Sequence, residues 1–224
     1  MDQQQEQQHS LELNSQLVTM MTTEHYTLQS AQAQEVADIN GRNTLFIGAV
    51  SSTLIALAFI GQISHLGTAF FVFSLVLFPS LFFMGLVTFV WVLQATNSII
   101  IYERGINRIR HLYLEYAPHM QPYFILSAHD DREGTLGHEA MHTSWVQVFL
   151  SAASMIAVIN SVLVGSFVGL LCSVFTLPLW IGAGVGVVVF LVSLGLHQRY
   201  QWKQFMRMER SLPVLFPSQT GKEQ

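Results

Sequence analysis

The chain has 224 residues, 51% of them hydrophobic and only 11% charged, with a formal net charge of −4. An ordinary soluble domain carries about 25% charged residues. Here the shortage is concentrated, since residues 43–102 and 140–198, runs of 60 and 59, contain no Asp, Glu, Lys or Arg. A soluble single domain is excluded, because it would have to hide both stretches with too little polar surface to cover them.

In chain order, residues 1–10 (MDQQQEQQHS) have the composition of a disordered tail. The Ala-, Gln- and Glu-rich stretch over 20–39 is expected to form a short helix lying on the membrane surface, with Asn40-Gly41 as its stop. No basic-then-apolar leader is read in the polar first 42 residues, so the first apolar run is expected to be the targeting signal.

As a helix, each uncharged run would extend about 90 Å, roughly three times the hydrocarbon thickness of a bilayer. Two spans and a turn therefore fit in each. Ser64-His65-Leu66-Gly67 divides the first run and Ser173-Val174-Phe175-Thr176-Leu177-Pro178 the second. The predicted spans are 43–63, 68–95, 145–171 and 178–197. The fold class is thus an all-α membrane protein with four transmembrane helices in two antiparallel hairpins, 43–95 and 145–197.

The second and fourth helices are expected to run on past the bilayer. Tyr102, Ile106, Ile109, Tyr113 and Tyr116 recur on one face and Arg104, Arg108, His111 and Glu115 on another, up to Pro118. Arg199, Lys203, Arg207 and Arg210 form a similar stripe that stops at Pro213. Setting Pro118 on Pro213 also sets Arg104 on Arg199 and Arg108 on Lys203, the pattern of a duplicated hairpin. Basic residues at the ends of any membrane helix give the same look.

All ten Lys and Arg residues fall in the N-terminal segment 1–42, the central segment 96–144 or the C-terminal segment 198–224. The positive-inside rule makes these cytoplasmic and the chain a multi-pass protein of the inner (plasma) membrane. Trp91 and Trp145 then lie toward the inner interface and Trp180 toward the outer one. The lone Cys172 leaves no intrachain disulfide.

The spans are read as free of ionisable groups, which argues against a proton-coupled pump, a voltage sensor or an intramembrane acid–base enzyme. Ser51, Ser52 and Thr53 fall level with Pro79 and Ser80, and Pro79 frees the carbonyl of Leu75. That combination reads either as a hydroxyl-lined, kinked passage or as a packed kink. The amide of Asn160 needs a partner, as a clamp between helices or subunits or as pore lining. Gly165-x-x-x-Gly169 and Gly182-x-x-x-Gly186 fall at mirrored depths and predict close helix packing.

His138-Glu139-Ala140-Met141-His142 matches H-E-x-x-H, which on a helix aims two imidazoles at zinc with Glu139 placed to activate water. His129, Asp130 and Asp131 lie a short way upstream and could add a ligand. The competing reading is a solvated loop, since acidic residues are scarce beyond it and the polar segments are short for a protease domain. Arg104, Arg108, Arg199, Lys203, Arg207 and Arg210 are expected to meet inner-leaflet anionic headgroups, worth about 1 kcal/mol per cation.

Four segments carry a resemblance. They are Glu24-His-Tyr-Thr-Leu-Gln-Ser-Ala31, Asn40-Gly-Arg42 leading to Phe46-Ile-Gly-Ala-Val-Ser-Ser52, Arg104-Gly-Ile-Asn-Arg-Ile-Arg110, and Pro122-Tyr-Phe-Ile-Leu-Ser-Ala-His-Asp-Asp131. Within residues 24–165 the chain resembles a bacterial family of small four-helix multi-pass membrane proteins. The resemblance implies a membrane protein whose cytoplasmic segments and first-span start matter; it implies no activity and no zinc. The expected function is a self-associating, non-enzymatic channel-like or scaffold protein. Its partners would be the lipid bilayer, further copies of itself and a cytoplasmic protein, with no nucleic acid and no cofactor. The alternative is a membrane-bound zinc hydrolase.

Overall fold

The structure is a computed structural model and describes residues 2–136, 151–174 and 178–218. Helix α1 is Asp2–Ile63 and α2 is Thr68–Tyr116; a 3₁₀ turn, Pro118–Tyr123, and the short α3, Arg132–Leu136, follow. Helices α4, Ala152–Val174, and α5, Leu179–Ser211, follow among the described residues. No strand occurs among the described residues. Four of the helices, α1, α2, α4 and α5, are long and apolar enough to cross a membrane, so the chain is an all-helical multi-pass membrane protein.

Local chemistry sets the ends. Between α1 and α2, His65 and Leu66 take positive φ (48° and 58°). That left-handed turn lets the Leu66 amide donate to Gly61 O at 2.9 Å and the Gly67 amide to Ser64 O at 2.8 Å, satisfying carbonyls that α1 leaves open. Helix α2 stops at Tyr116 and α5 at Ser211, each two residues before a proline, because the residue preceding proline disfavours the helical region. Pro79 sits inside α2 without ending it.

Two expectations for the N-terminal segment are corrected. Residues 2–10 are helical rather than a disordered tail, and α1 passes through Asn40-Gly41 without a stop. A glycine in a helix interior costs only about 1 kcal/mol relative to alanine, too little to interrupt a helix already propagating on both sides.

The chain divides into two compact units. The membrane unit comprises Ala37–Thr96 and Thr143–Ser211. Its core holds Phe46, Val92, Ile156 and Ala157, all essentially without solvent exposure. Along α1 and α2, Gly61 lies against Phe70, Phe46 against Gly85, and the Arg42 guanidinium 3.7 Å over the Trp91 ring. Its outer surface is apolar, with Leu45, Phe83 and Leu196 each more than three-fifths exposed. Water would not tolerate such a surface, whereas lipid chains solvate it.

The polar unit comprises Met1–Val36, Asn97–His142 and Leu212–Gln224. Here Leu28 of α1 lies against Gly105 of α2, and Gln32 Nε2 donates to Glu103 Oε2 at 2.7 Å. The His25 and Tyr113 rings stack at 6.1 Å.

Candidate functional site

In the membrane unit the chemistry lies in a ladder of polar side chains between α4 and α5. Ser193, His197 and Gln201 recur at steps of four and so share one face of α5. Opposite them on α4 stand Ser161, Asn160 and Ser154. Ser161 Oγ donates to Ser193 Oγ at 3.0 Å, and Ser154 Oγ to Gln201 Oε1 at 3.1 Å. Gln198 Nε2 donates to Ser154 Oγ at 3.1 Å and Gln201 Nε2 to Ser151 Oγ at 2.9 Å. Away from water, each of these groups needs such a partner.

Asn160 and His197 form the middle rung. The His197 ring lies edge-on to Phe89, centroids 4.8 Å apart. Its Nδ1 is 2.8 Å from the carbonyl of Ser193, so that nitrogen carries the proton and donates. Nε2 is then the acceptor, 3.5 Å from the Asn160 amide nitrogen. The remaining Asn160 oxygen is buried without a hydrogen-bond partner and faces Gly85, where an added Cβ would run into it. The reading of spans without ionisable groups is corrected here: His197, the last residue of the fourth predicted span, is only 8% exposed.

The four glycines bring α4 and α5 together. A Cβ on Gly165 would come 2.7 Å from Gly186 O, one on Gly186 would come 2.8 Å from Gly165 O, and one on Gly169 would lie 3.1 Å from Gly182 O. These small residues are used inside the chain.

The hydroxyls expected around Pro79 lie mostly at the surface of the unit. Ser51, Ser52, Pro79 and Ser80 are exposed on the unit's surface and Thr53 is half-buried. Ser80 Oγ donates to Val76 O, one turn back, at 2.7 Å. A hydroxyl satisfied by its own helix needs no partner across a passage.

In the polar unit, adjacent carboxylates hold the C-terminal segment. Asp130 accepts from the Leu215 amide (3.0 Å), the Phe216 amide (2.7 Å) and Arg108 Nε (2.7 Å), and its own amide donates to Phe216 O at 3.2 Å. Asp131 accepts from the Ser218 amide at 2.7 Å, from the Ser218 hydroxyl, and from the Gly134 amide at 2.8 Å. Arg108 Nη2 donates to Pro213 O at 2.6 Å, and the His111 ring stacks on Phe216 at 4.0 Å. Asn107 Nδ2 bonds the carbonyls of His129 and Gly134 at 2.9 and 3.1 Å, fixing the loop that carries both acids.

Burial pushes both carboxyls up in pKa. For Asp130 this is outweighed by the Phe216 and Leu215 amides and by Arg108, and for Asp131 by the Ser218 hydroxyl, the Gly134 and Ser218 amides and the charge of His129. Both therefore stand below the usual carboxylate range.

Of the six cations expected at headgroups, Arg104 is buried and Arg108 half-buried. Arg104 is 2% exposed and Arg108 is tied to Asp130 and Pro213. Arg199, Lys203, Arg207 and Arg210 are exposed on α5. The aligned basic pairs thus have different surroundings.

The chain matches no protein-family model, no curated protein and no solved structure.

Among the described residues no three His, Cys, Asp or Glu side chains gather as metal ligands. His138, Glu139 and His142 lie outside the described residues, as does Trp145. His129 has its ring 6.2 Å from that of His111. Sequence reasoning missed the tail clamp and the His197 rung. The signal for the second was the four-residue recurrence of Ser193, His197 and Gln201 in an otherwise apolar helix.

Proposed function

We propose that the chain is a self-associating, non-enzymatic scaffold of the inner membrane. It crosses the bilayer as two antiparallel hairpins, and its N-terminal segment, central segment and C-terminal tail lie on the cytoplasmic face. The observation that carries self-association is the free face of α1. Gly41, Leu45, Gly48, Ser52, Ile55 and Phe59 are all exposed, and a Cβ on Gly41 or Gly48 would meet nothing within 4 Å. Residues 41, 45, 48, 52, 55 and 59 fall in one stripe, and small residues in a lipid-facing stripe let a second helix approach closely. Gly165, Gly169, Gly182 and Gly186 of α4 and α5 are already occupied by each other, so those four offer a second copy no close approach.

The scaffold reading is supported by how the reactive groups are used. Asp130 and Asp131 grip backbone amides, and the polar ladder links α4 to α5. The exposed cations of α5 and the docked tail would meet lipid headgroups and a cytoplasmic protein partner.

Crosslinking and sizing of the full chain in mild detergent test this. A discrete oligomer that Gly48→Leu converts toward monomer is expected; a monomer at all concentrations removes the self-association. Reconstitution into bilayers separates scaffold from channel, since ion current from the intact oligomer, altered by Pro79→Ala, would establish a channel instead. Topology is read with a membrane-impermeant maleimide. Cys172 should label from outside, and a cysteine placed at Ser211 in a Cys172→Ser background should label only after lysis.

A further inference from the structure

The membrane unit carries a laterally open apolar cleft of about 650 Å³. Phe82, Leu86 and Phe89 of α2 form one wall, and Val188, Val192 and Leu196 of α5 the other. Ser193 and His197 also line it, yet both spend hydrogen bonds on α4, at Ser161 and Asn160. Tyr200 closes one end.

The volume falls in the range of roughly 300–1,000 Å³ typical of ligand sites. Apolar walls of this kind exclude water. In a bilayer the material at hand to fill the space is a lipid chain.

Beyond Tyr200 the same face of α5 becomes basic. Helical geometry places Lys203 and Arg207 within about 40° of Leu196 around the axis, and about 5 and 10 Å past Tyr200 along it. Both are exposed. A greasy slot that gives way to two cations on one helix face is complementary to an acyl chain joined to a phosphate.

We propose that this cleft holds an acyl chain of an anionic phospholipid whose headgroup phosphate sits on Lys203 and Arg207. The inference rests on the membrane-spanning arrangement above, with the C-terminal half of α5 emerging at the inner leaflet. Arg could grip the phosphate through two N–H groups while Lys adds a point charge. Selection between lipids then comes from the headgroup charge, and retention comes from the slot.

The test is native mass spectrometry of the full chain in detergent with dioleoyl phosphatidylglycerol and dioleoyl phosphatidylcholine supplied in equal amounts. Wild type should retain phosphatidylglycerol over phosphatidylcholine. The double variant Lys203→Ala/Arg207→Ala should lose that preference by up to roughly thirtyfold, as removing two interfacial cations implies, and Val192→Trp, which fills the slot, should lose both lipids. If Val192→Trp does not yield folded protein, Val188→Phe narrows the same wall and should weaken retention in the same direction.

Equal retention of the two lipids by wild type, or unchanged retention in both cleft variants, overturns the proposal. So does displacement of the lipid by inorganic phosphate alone, or a cleft variant that changes the oligomer and not the lipid. The same spectra report oligomeric state. A monomer that keeps its lipid defeats only the scaffold reading, and an oligomer without lipid preference defeats only this one.

Discussion

The Asn160 amide and the His197 ring meet 3.5 Å apart inside the membrane unit, and each sets the other's hydrogen-bonding role. Because Nδ1 of His197 donates to Ser193 O, only Nε2 can receive the amide proton. Asn160→Leu strands that nitrogen, and His197→Phe strands the amide. Each single change is expected to destabilise, and the double variant should lose less than the two combined. Couplings between polar groups in membrane helices run at about 0.6 kcal/mol, up to about 1.7. A double-mutant cycle on detergent unfolding measures it, and strictly additive losses would show that the two side chains do not act as a pair.

The glycines divide by what a methyl group would meet. At Gly186 it would come 2.8 Å from Gly165 O, a backbone atom that cannot swing aside. Gly186→Ala should therefore cost about 1–3 kcal/mol by forcing α4 and α5 apart. At Gly184 nothing lies within 4 Å, so Gly184→Ala should be neutral or stabilising by up to about 1 kcal/mol through helix propensity. Thermal melts of the two variants side by side check this; equal behaviour would mean that α4 and α5 do not approach so closely.

What the sequence made legible was local. The charge-free runs located four spans, and the turn at Ser64-His65-Leu66-Gly67 and the prolines at 118 and 213 marked where α1, α2 and α5 would end. Each of these is a short-range steric rule. Asn40-Gly41 misled because a breaker's small local cost is outweighed by the helix continuing around it. The tail clamp was out of reach for a different reason: Asp130 and Phe216 are separated by most of the second half of the chain, and carboxylates that cap distant backbone amides leave no periodic trace. His197 was overlooked because a histidine at the rim of an apolar run looks like a headgroup contact until its neighbour on α4 is known.

The clamp predicts a pH response. Both carboxyls sit below their ordinary value of 3.8, so they release protons more readily when folded than when unfolded. The stability they add is present well above the ordinary value of 3.8 and is lost as pH falls through the folded-state values below it. Protection of the Leu215, Phe216 and Ser218 amides from hydrogen exchange, taken relative to the intrinsic rate at each pH, should be high at neutral pH and should fall on acidification. Asp130→Asn should lower that protection already at neutral pH by removing the charge that receives two amides and Arg108, with a loss of about 1.5–3 kcal/mol. Tail amides that exchange equally fast in wild type and variant at pH 7 would mean that the tail is not held there.

Arg42 and Trp91 tie the start of the first predicted span to the end of the second. The guanidinium lies 3.7 Å over the indole ring, close enough for a cation–π contact worth about 0.5–2 kcal/mol depending on how dry the site is. Both side chains favour the headgroup region, one by charge and one by its amphipathic ring, so the pair would set the depth of α1 and α2 together. Arg42→Ala should lower thermal stability by that amount. Arg42→Lys should recover only part, because an ammonium keeps the charge but cannot stack flat on the ring. Trp91→Phe should weaken the contact while leaving the packing largely filled. A ranking of wild type, then Arg42→Lys, then Arg42→Ala in detergent melts supports the stacked pair, while equal melting of the Lys and Ala variants would assign the effect to guanidinium packing and not to charge.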